Sequence, residues 1–210
     1  MLLSDYVGKW WNLFDLNILS STLTQLGQLY QIKNIFPKQS NVFKAFHECN
    51  YDDCKVIMLG ADPYPQKNIA TGILFGNDLH NKSISPSLQI ILEASGSNDP
   101  TLLSWCKQGV LMINTALSVE EGKPSSHLLL WRPFMKSFLR NMSQWNTGMI
   151  YVFFGSVALD LKSYVNSNLN DILTEKHPAA YARENEKMPS KIFDDINNLL
   201  KDKYNQTIKW

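Results

Sequence analysis

An acid, an amide, a hydroxyl and an imidazole stand at four separated points of this chain, each at or just beyond a short apolar run. Asp62 follows Lys55-Val56-Ile57-Met58-Leu59-Gly60, and Asn114 closes Val110-Leu111-Met112-Ile113. Ser156 follows Met149-Ile150-Tyr151-Val152-Phe153-Phe154, and His177 comes soon after Asp171-Ile172-Leu173-Thr174. Brought together, such groups could orient a water, stabilise a departing anion and read the hydrogen-bonding edge of a polar ligand. Singly, each has a plainer reading. Asp62 before Pro63 can cap a turn, Asn114 can form one, and His177 before Pro178 can bond loop backbone. Ser156 after Gly155 reads as the N-cap of a following helix. Phe75 and Tyr64 read as core or wall aromatics. Only a shared location would make these residues a site.

The elements around them supply that location. Short continuous apolar runs stopped by glycine or polar residues read as strands buried on both faces. Helical stretches at 87–97, 132–144 and 157–165 separate the four runs, and 190–203 carries Ile192, Phe193, Ile196, Leu199 and Leu200 on one face. Ahead of the strands, 5–30 reads as helix, dense with Trp10, Trp11, Leu13, Phe14, Leu16, Leu19 and Leu23. Pro37 ends any helix near it, and 41–47 reads as a short second helix. Strands alternating with helices predict an α/β fold, a central four-stranded parallel sheet with right-handed crossovers and helices on both faces. Ligands of such sheets bind beyond the carboxyl ends of the strands, which is where all four polar groups fall.

The chain has 210 residues, 44% of them hydrophobic, and no internal repeat or Gly/Ser linker, which predicts one domain over 1–210. Twenty basic against 19 acidic side chains give a net charge of +1, so no global field draws it to nucleic acid, membrane or an acidic partner. A neutral chain can still carry one basic face. Cys49, Cys54 and Cys106 are odd in number and form no CxxC, which argues against a zinc ribbon or a disulfide framework and for a reducing compartment. The N-terminus lacks a basic segment followed by an apolar run of about 7–15 residues, and no stretch approaches the roughly 20 apolar residues of a membrane span. A cytoplasmic location is the expectation. In that setting the glycosylation patterns Asn81-Lys82-Ser83 and Asn205-Gln206-Thr207 carry no meaning. GxSxG, HExxH, the P-loop and GxGxxG are absent. His47, His80, His127 and His177 form no short metal-ligand pair, so neither metal nor cofactor is expected. Ser156, His177 and Asp62 could be named a hydrolase triad, but no nucleophile elbow surrounds the serine.

Several spaced motifs carry a family resemblance. Gly60-Ala61-Asp62-Pro63-Tyr64-Pro65 is similar to a GQDPYH water-activating segment, and Gly72-Ile73-Leu74-Phe75 to the stretch that supplies a base-stacking phenylalanine. Ser85-Pro86-Ser87-Leu88 resembles the shortened end of a proline-rich loop, and Trp105 to Thr115 a WxxQGVLLLNT strand. Ser126-His127, Trp131, Phe154-Gly155-Ser156 and His177-Pro178-Ala179-Ala180 fall in order where SH, W, WGS and HPSP motifs stand. The chain so resembles the family 1 uracil-DNA glycosylases, from about Ile35-Phe36-Pro37 to Trp210. Asp-Pro-Tyr-Pro and His-Pro-Ala-Ala resemble the poxvirus branch, whose member also serves as a polymerase processivity subunit.

The resemblance implies a function and a division of labour. It implies a metal-free, cofactor-free enzyme that flips deoxyuridine out of single- or double-stranded DNA and hydrolyses its N-glycosidic bond, leaving an abasic site. Asp62 would favour the cation-like sugar and orient water, and His177 would donate to uracil O2 as the base departs. Asn114 would donate to O4 and accept from N3–H, a pattern cytosine cannot meet without leaving buried amide groups unpaired. Ala61 would touch the base through its backbone N–H, Tyr64 would exclude a C5 methyl, and Phe75 would stack on the base. Pro86, Ser87 and Ser156 would hold flanking phosphates, and Tyr181 stands where a leucine fills the vacated stack. Pro65, Ala179 and Ala182 replace a histidine and two serines that contact phosphate. The other reading is an inactive or weakly active DNA-binding accessory factor that keeps the fold. Further partners implied are a proteinaceous glycosylase inhibitor or a replication protein, around a monomer; a eukaryotic or viral source would shift the location to the nucleus or a viral replication site.

Overall fold

The N-terminal apolar stretch folds as two helices rather than one. The computed structural model describes residues 2–78 and 84–210, so His80 and the Asn81-Lys82-Ser83 pattern lie outside the described residues. Helix α1 (Leu3–Val7) gives way at Gly8, φ +59°, to a 3-10 turn over Gly8–Leu13, and α2 (Leu16–Ile32) starts afresh. The break has two causes. Trp10 turns inward to donate its indole N–H to the Cys49 carbonyl at 2.8 Å. Asp15 then caps α2, its carboxylate accepting from the N–H groups of Asn17 and Ile18, both at 3.1 Å. Strand β1 (Ile35–Phe36) follows, and the helix expected at 41–47 is a shorter α3 (Lys44–Glu48).

The four apolar runs are strands: β2 (Val56–Gly60), β3 (Val110–Asn114), then, after a two-residue β4 (Val119–Glu120), β5 (Ile150–Phe154) and β6 (Asp171–Glu175). They form one parallel sheet in the order β3-β2-β5-β6, with Gly60 opposite Asn114 and Phe154 opposite Glu175. Every residue of β2, β3 and β5 is buried; β6 is an edge strand and only half-buried, in keeping with its polar Asp171, Thr174 and Glu175. Because the chain runs from β2 to β3 on one side and then to β5 on the other, its direction reverses at β2, and a crevice opens beyond the strand ends there. The pair β1 and β4 forms a separate antiparallel ribbon, which the sequence reading did not anticipate.

Helices α4 (Pro86–Ser95), α5 (Leu103–Cys106), α6 (Leu128–Trp145), α7 (Gly155–Leu159), α8 (Pro178–Glu184) and α9 (Lys191–Tyr204) complete the order. The helix expected at 157–165 is short and begins earlier: α7 starts on Gly155, φ +81°, and a 3-10 turn over Lys162–Tyr164 replaces its second half. Ser156 is therefore not an N-cap. Phe154 occupies that position, and Ser156 lies inside the first turn. The helices flank the sheet on aromatic cores. Phe14 meets Phe134 at 5.0 Å and Phe46 meets Phe138 at 5.3 Å, while Trp105, Phe193 and Trp210 cluster at 4.9–5.6 Å. Burying one such ring contributes about 1.5–3 kcal/mol. Cys49, Cys54 and Cys106 are buried and unpaired.

Candidate active site

The strand ends converge on a cleft of about 320 Å³. Asp62 reaches it from the turn after β2, Asn114 from the last residue of β3, Ser156 from the first turn of α7 and His177 from the turn after β6. Ala61, Tyr64, Phe75 and Ser87 line the same space. Of the residues singled out from the sequence, Pro86 and Tyr181 do not line it. Pro86 is exposed at the first position of α4. Tyr181 turns away and is 9% exposed, its hydroxyl donating to Glu175 Oε1 at 2.8 Å. Burial, with the Glu175 carboxylate adding to it, pushes the Tyr181 phenol up to about 12, so it remains a donor.

Backbone groups fix the carboxylate. Asp62 Oδ2 accepts the N–H of Ser125 at 2.6 Å, and Ser125 can aim that N–H because it adopts a left-handed conformation, φ +67°. The same loop donates Gly122 N–H to the Pro65 carbonyl at 2.9 Å, and the β1–β4 ribbon anchors the loop from outside. On the other side of the turn, the Ala61 carbonyl accepts Ala116 N–H at 3.0 Å and the Thr115 hydroxyl at 2.7 Å. Burial raises the Asp62 pKa above the usual carboxylate range, while the Ser125 N–H pulls it partly back. One carboxylate oxygen is thus held, and among the described residues no donor is bonded to the other.

The imidazole is held in one chemical form. His177 Nδ1 accepts the N–H of Ala179 at 3.1 Å at the start of α8. An N–H can only donate, so Nδ1 carries no proton and the neutral ring bears its proton on Nε2. Burial lowers the His177 pKa to about 4, with the positive charge of Arg183 adding to the effect. The ring is therefore neutral at physiological pH, with one N–H to give. These bonds also dispose of the Ser-His-Asp reading. A triad needs Nδ1–H directed at the acid, whereas here Nδ1 is an acceptor and Asp62 is held by Ser125.

Phe75 forms a wall of the cleft at φ +62°, a conformation that a bulky aromatic adopts only when its surroundings impose it. Tyr64 does so in part by donating its hydroxyl to the Phe75 carbonyl at 3.1 Å, and Leu74 N–H ties the turn to the Met112 carbonyl of β3 at 3.0 Å. The Phe75 ring stands edge-on to Phe154 at 5.3 Å and to His177 at 5.6 Å. Two glycines make room. A Cβ on Gly60 would come within 3.0 Å of Asn114 Oδ1, and one on Gly155 within 2.8 Å of His177 Cβ. Burial pushes the Tyr64 phenol up to about 12, against the pull of the Ser85 and Ser87 hydroxyls.

The other described histidine in a family motif, His127, lies in the core. Its Nδ1 pairs with the Ser118 hydroxyl at 2.8 Å, and Trp131 donates its indole N–H to that same oxygen at 2.8 Å. Among the cleft features that escaped the sequence reading are Pro124, the Ser125 N–H and Arg183. The Ser125 contribution is a backbone group and leaves no trace in residue type. Arg183 had one available signal, its place six residues beyond His177 on a short helix.

Comparison with known proteins matches residues 46–201 to the model of the Uracil DNA glycosylase superfamily. The uracil-DNA glycosylase of Borreliella burgdorferi is 35% identical over 189 residues, covering 85% of this chain and 84% of that protein. That of Streptococcus uberis is 31% identical over 191 residues, covering 88% of each. Among solved structures, a mimivirus uracil-DNA glycosylase variant in complex with UGI superposes with a TM-score of 0.82 at 22% identity, over 96% of this chain and 86% of that one.

Proposed function

The chain belongs to the uracil DNA glycosylase superfamily, and from that membership we propose that it excises uracil from DNA by the concerted action of Asp62, Asn114 and His177 in the cleft. It is a uracil-DNA glycosylase, a hydrolase of base excision repair whose substrate is uracil-containing DNA. The observation that carries the assignment of residues is the convergence of these three, from three different strand ends, on one space.

The chemistry follows from the state of each group. A uracil whose glycosidic bond is breaking develops negative charge on O2 and positive charge on the sugar. The neutral His177, its Nδ1 occupied, directs Nε2–H at the developing oxyanion; an already positive ring would have made DNA binding and base departure depend on pH near 6. Asp62, held through one oxygen by Ser125 N–H, faces the sugar with the other and orients the water that takes the base's place. Asn114, 8% exposed, pairs with O4 and N3–H, and leaves a cytosine with unmatched donors in a buried site. Phe75 stacks on the base, Tyr64 fills the space a C5 methyl would need, and the Ala61 backbone closes the edge. Extruding the nucleotide from a duplex costs a few kcal/mol, which single-stranded substrate does not require. Ser87 and Ser156, both on the cleft wall, contact the flanking phosphates. Pro86, exposed beside Ser87, meets the strand at the rim, and Tyr181 serves the DNA stack only after leaving Glu175. An inhibitor protein of the kind held by the mimivirus enzyme would compete for this same mouth.

A uracil-containing oligonucleotide incubated with the purified protein and treated with hot alkali tests the proposal. Cleavage at the uracil position, lost in Asp62→Asn and His177→Ala, is the expected result. Binding of uracil DNA with no base released at high enzyme concentration would overturn it.

A further inference from the structure

Helix α8 contributes Ala179 and Arg183 to the cleft wall. The start of that helix has little left to offer an anion. Pro178 lacks an N–H, Ala179 gives its own to His177 Nδ1, and Ala180 gives its own to the His177 carbonyl at 2.8 Å. Arg183 differs in being exposed in the last turn, with no carboxylate within 4 Å among the described residues. The acids nearest to it in sequence are engaged elsewhere. Lys176 binds both Glu184 and Glu186, and stands over the Tyr181 ring at 4.6 Å. Among the described residues that line the cleft, the carboxyl group is that of Asp62, and Ser125 N–H holds it. The cleft wall thus carries, among the described residues, a carboxyl group held by backbone and, at its rim, a guanidinium with no carboxylate within 4 Å.

We propose that Arg183 is the residue on the α8 side of the cleft that binds a backbone phosphate of the DNA beside the flipped nucleotide. The inference rests on the uracil-excision reading and adds a contact to it. A nucleotide that places its base against Asn114 and Phe75, 8% and 4% exposed, must leave its phosphates at the rim, where Arg183 stands. The planar guanidinium presents paired N–H groups that match two phosphate oxygens, and phosphate is the anion every oligonucleotide brings. The Arg183 charge also favours the neutral form of His177.

The test is steady-state excision on a single-stranded uracil oligonucleotide over a salt series, with Arg183→Gln and Arg183→Lys beside wild type. Arg183→Gln is expected to raise KM roughly tenfold at low salt, the loss falling on KM rather than kcat. The slope of log(kcat/KM) against log[salt] should become shallower by about 0.7, one phosphate contact to a single strand. Arg183→Lys should restore the slope and only part of the affinity, because a point charge replaces the fork. Inhibition by free uracil, which has no phosphate, should match wild type. Wild-type KM and slope in Arg183→Gln, or a loss of uracil inhibition equal to the loss on DNA, would overturn the proposal. A wild-type protein that releases no uracil would instead overturn the excision reading itself.

Discussion

The two walls of the cleft are held by different means. On the carboxylate side, Asp62 and its turn are fixed largely by main-chain groups: Ser125 N–H to Asp62, Gly122 N–H to Pro65, Ala116 N–H to Ala61, all beside the buried strands β2 and β3. On the imidazole side, the half-buried edge strand β6 leads into α8, which is fastened by side chains: Tyr181 to Glu175, Lys176 to Glu184 and Glu186. The difference fits the tasks. A largely buried carboxyl group needs partners that do not titrate, and amide N–H groups meet that condition. If DNA is gripped at Arg183 as proposed, the α8 wall carries charges that can be redistributed when it binds.

The largest test of this contrast is Asp62→Asn. Single-turnover excision should fall roughly 10³-fold, within the range for a positioned carboxylate. Stability should move the other way. Burial raises the Asp62 pKa, so the fold holds this proton more tightly than the unfolded chain; stability is full below the unfolded pKa and falls as pH rises through the raised value. Asparagine can still accept the Ser125 N–H and loses nothing on that rise, so the variant should melt above wild type at pH 8, with the gap closing in acid.

His177→Ala should cost roughly 10²-fold in kcat, the usual loss of one oxyanion donor. Its linkage has the opposite sign to that of Asp62. The folded ring titrates near 4 against 6.5 when unperturbed, so between those values the unfolded chain binds the extra proton. Wild-type stability is therefore full above pH 6.5 and falls as pH drops through that window toward 4; thermal melts of the variant should show a flatter decline there.

Glycine substitutions compare the walls more finely. Gly155→Ala places a Cβ 2.8 Å from His177 Cβ at φ +81°, so it should destabilise by about 1–3 kcal/mol and lower kcat by displacing the ring. Gly122→Ala, at φ +70° with open space around it, should cost about 1 kcal/mol in urea melts and leave His177 undisturbed. The smallest effect belongs to Lys176→Met. Releasing Glu184 and Glu186 frees carboxylates to pair with Arg183, which should raise KM for DNA a few-fold without acting on the chemical step; an unchanged KM would show the α8 charges to be independent.

Most of the sheet was legible because buried parallel strands read as unbroken apolar runs, as in Val56–Gly60 and Ile150–Phe154. Their polar successors could then be assigned to one edge, which is why Asp62, Asn114 and His177 were found together. What stayed hidden depends on backbone conformation or long-range partners. The φ of Phe75, the N–H of Ser125 and the β1–β4 ribbon leave no mark in residue type. The helix at 5–30 was overextended because apolar density alone does not show where Trp10 must turn to reach Cys49. Nothing in the residue types around Tyr181 announces its bond to Glu175.

The central physical claim is that Asp62, held by Ser125 N–H, works opposite a neutral His177 that donates from Nε2. Nitrogen-15 NMR of the His177 ring across an acid titration tests it most directly. The account predicts a proton on Nε2, a bare Nδ1 and a single transition near pH 4. A doubly protonated ring at pH 6, or a proton on Nδ1, would contradict it.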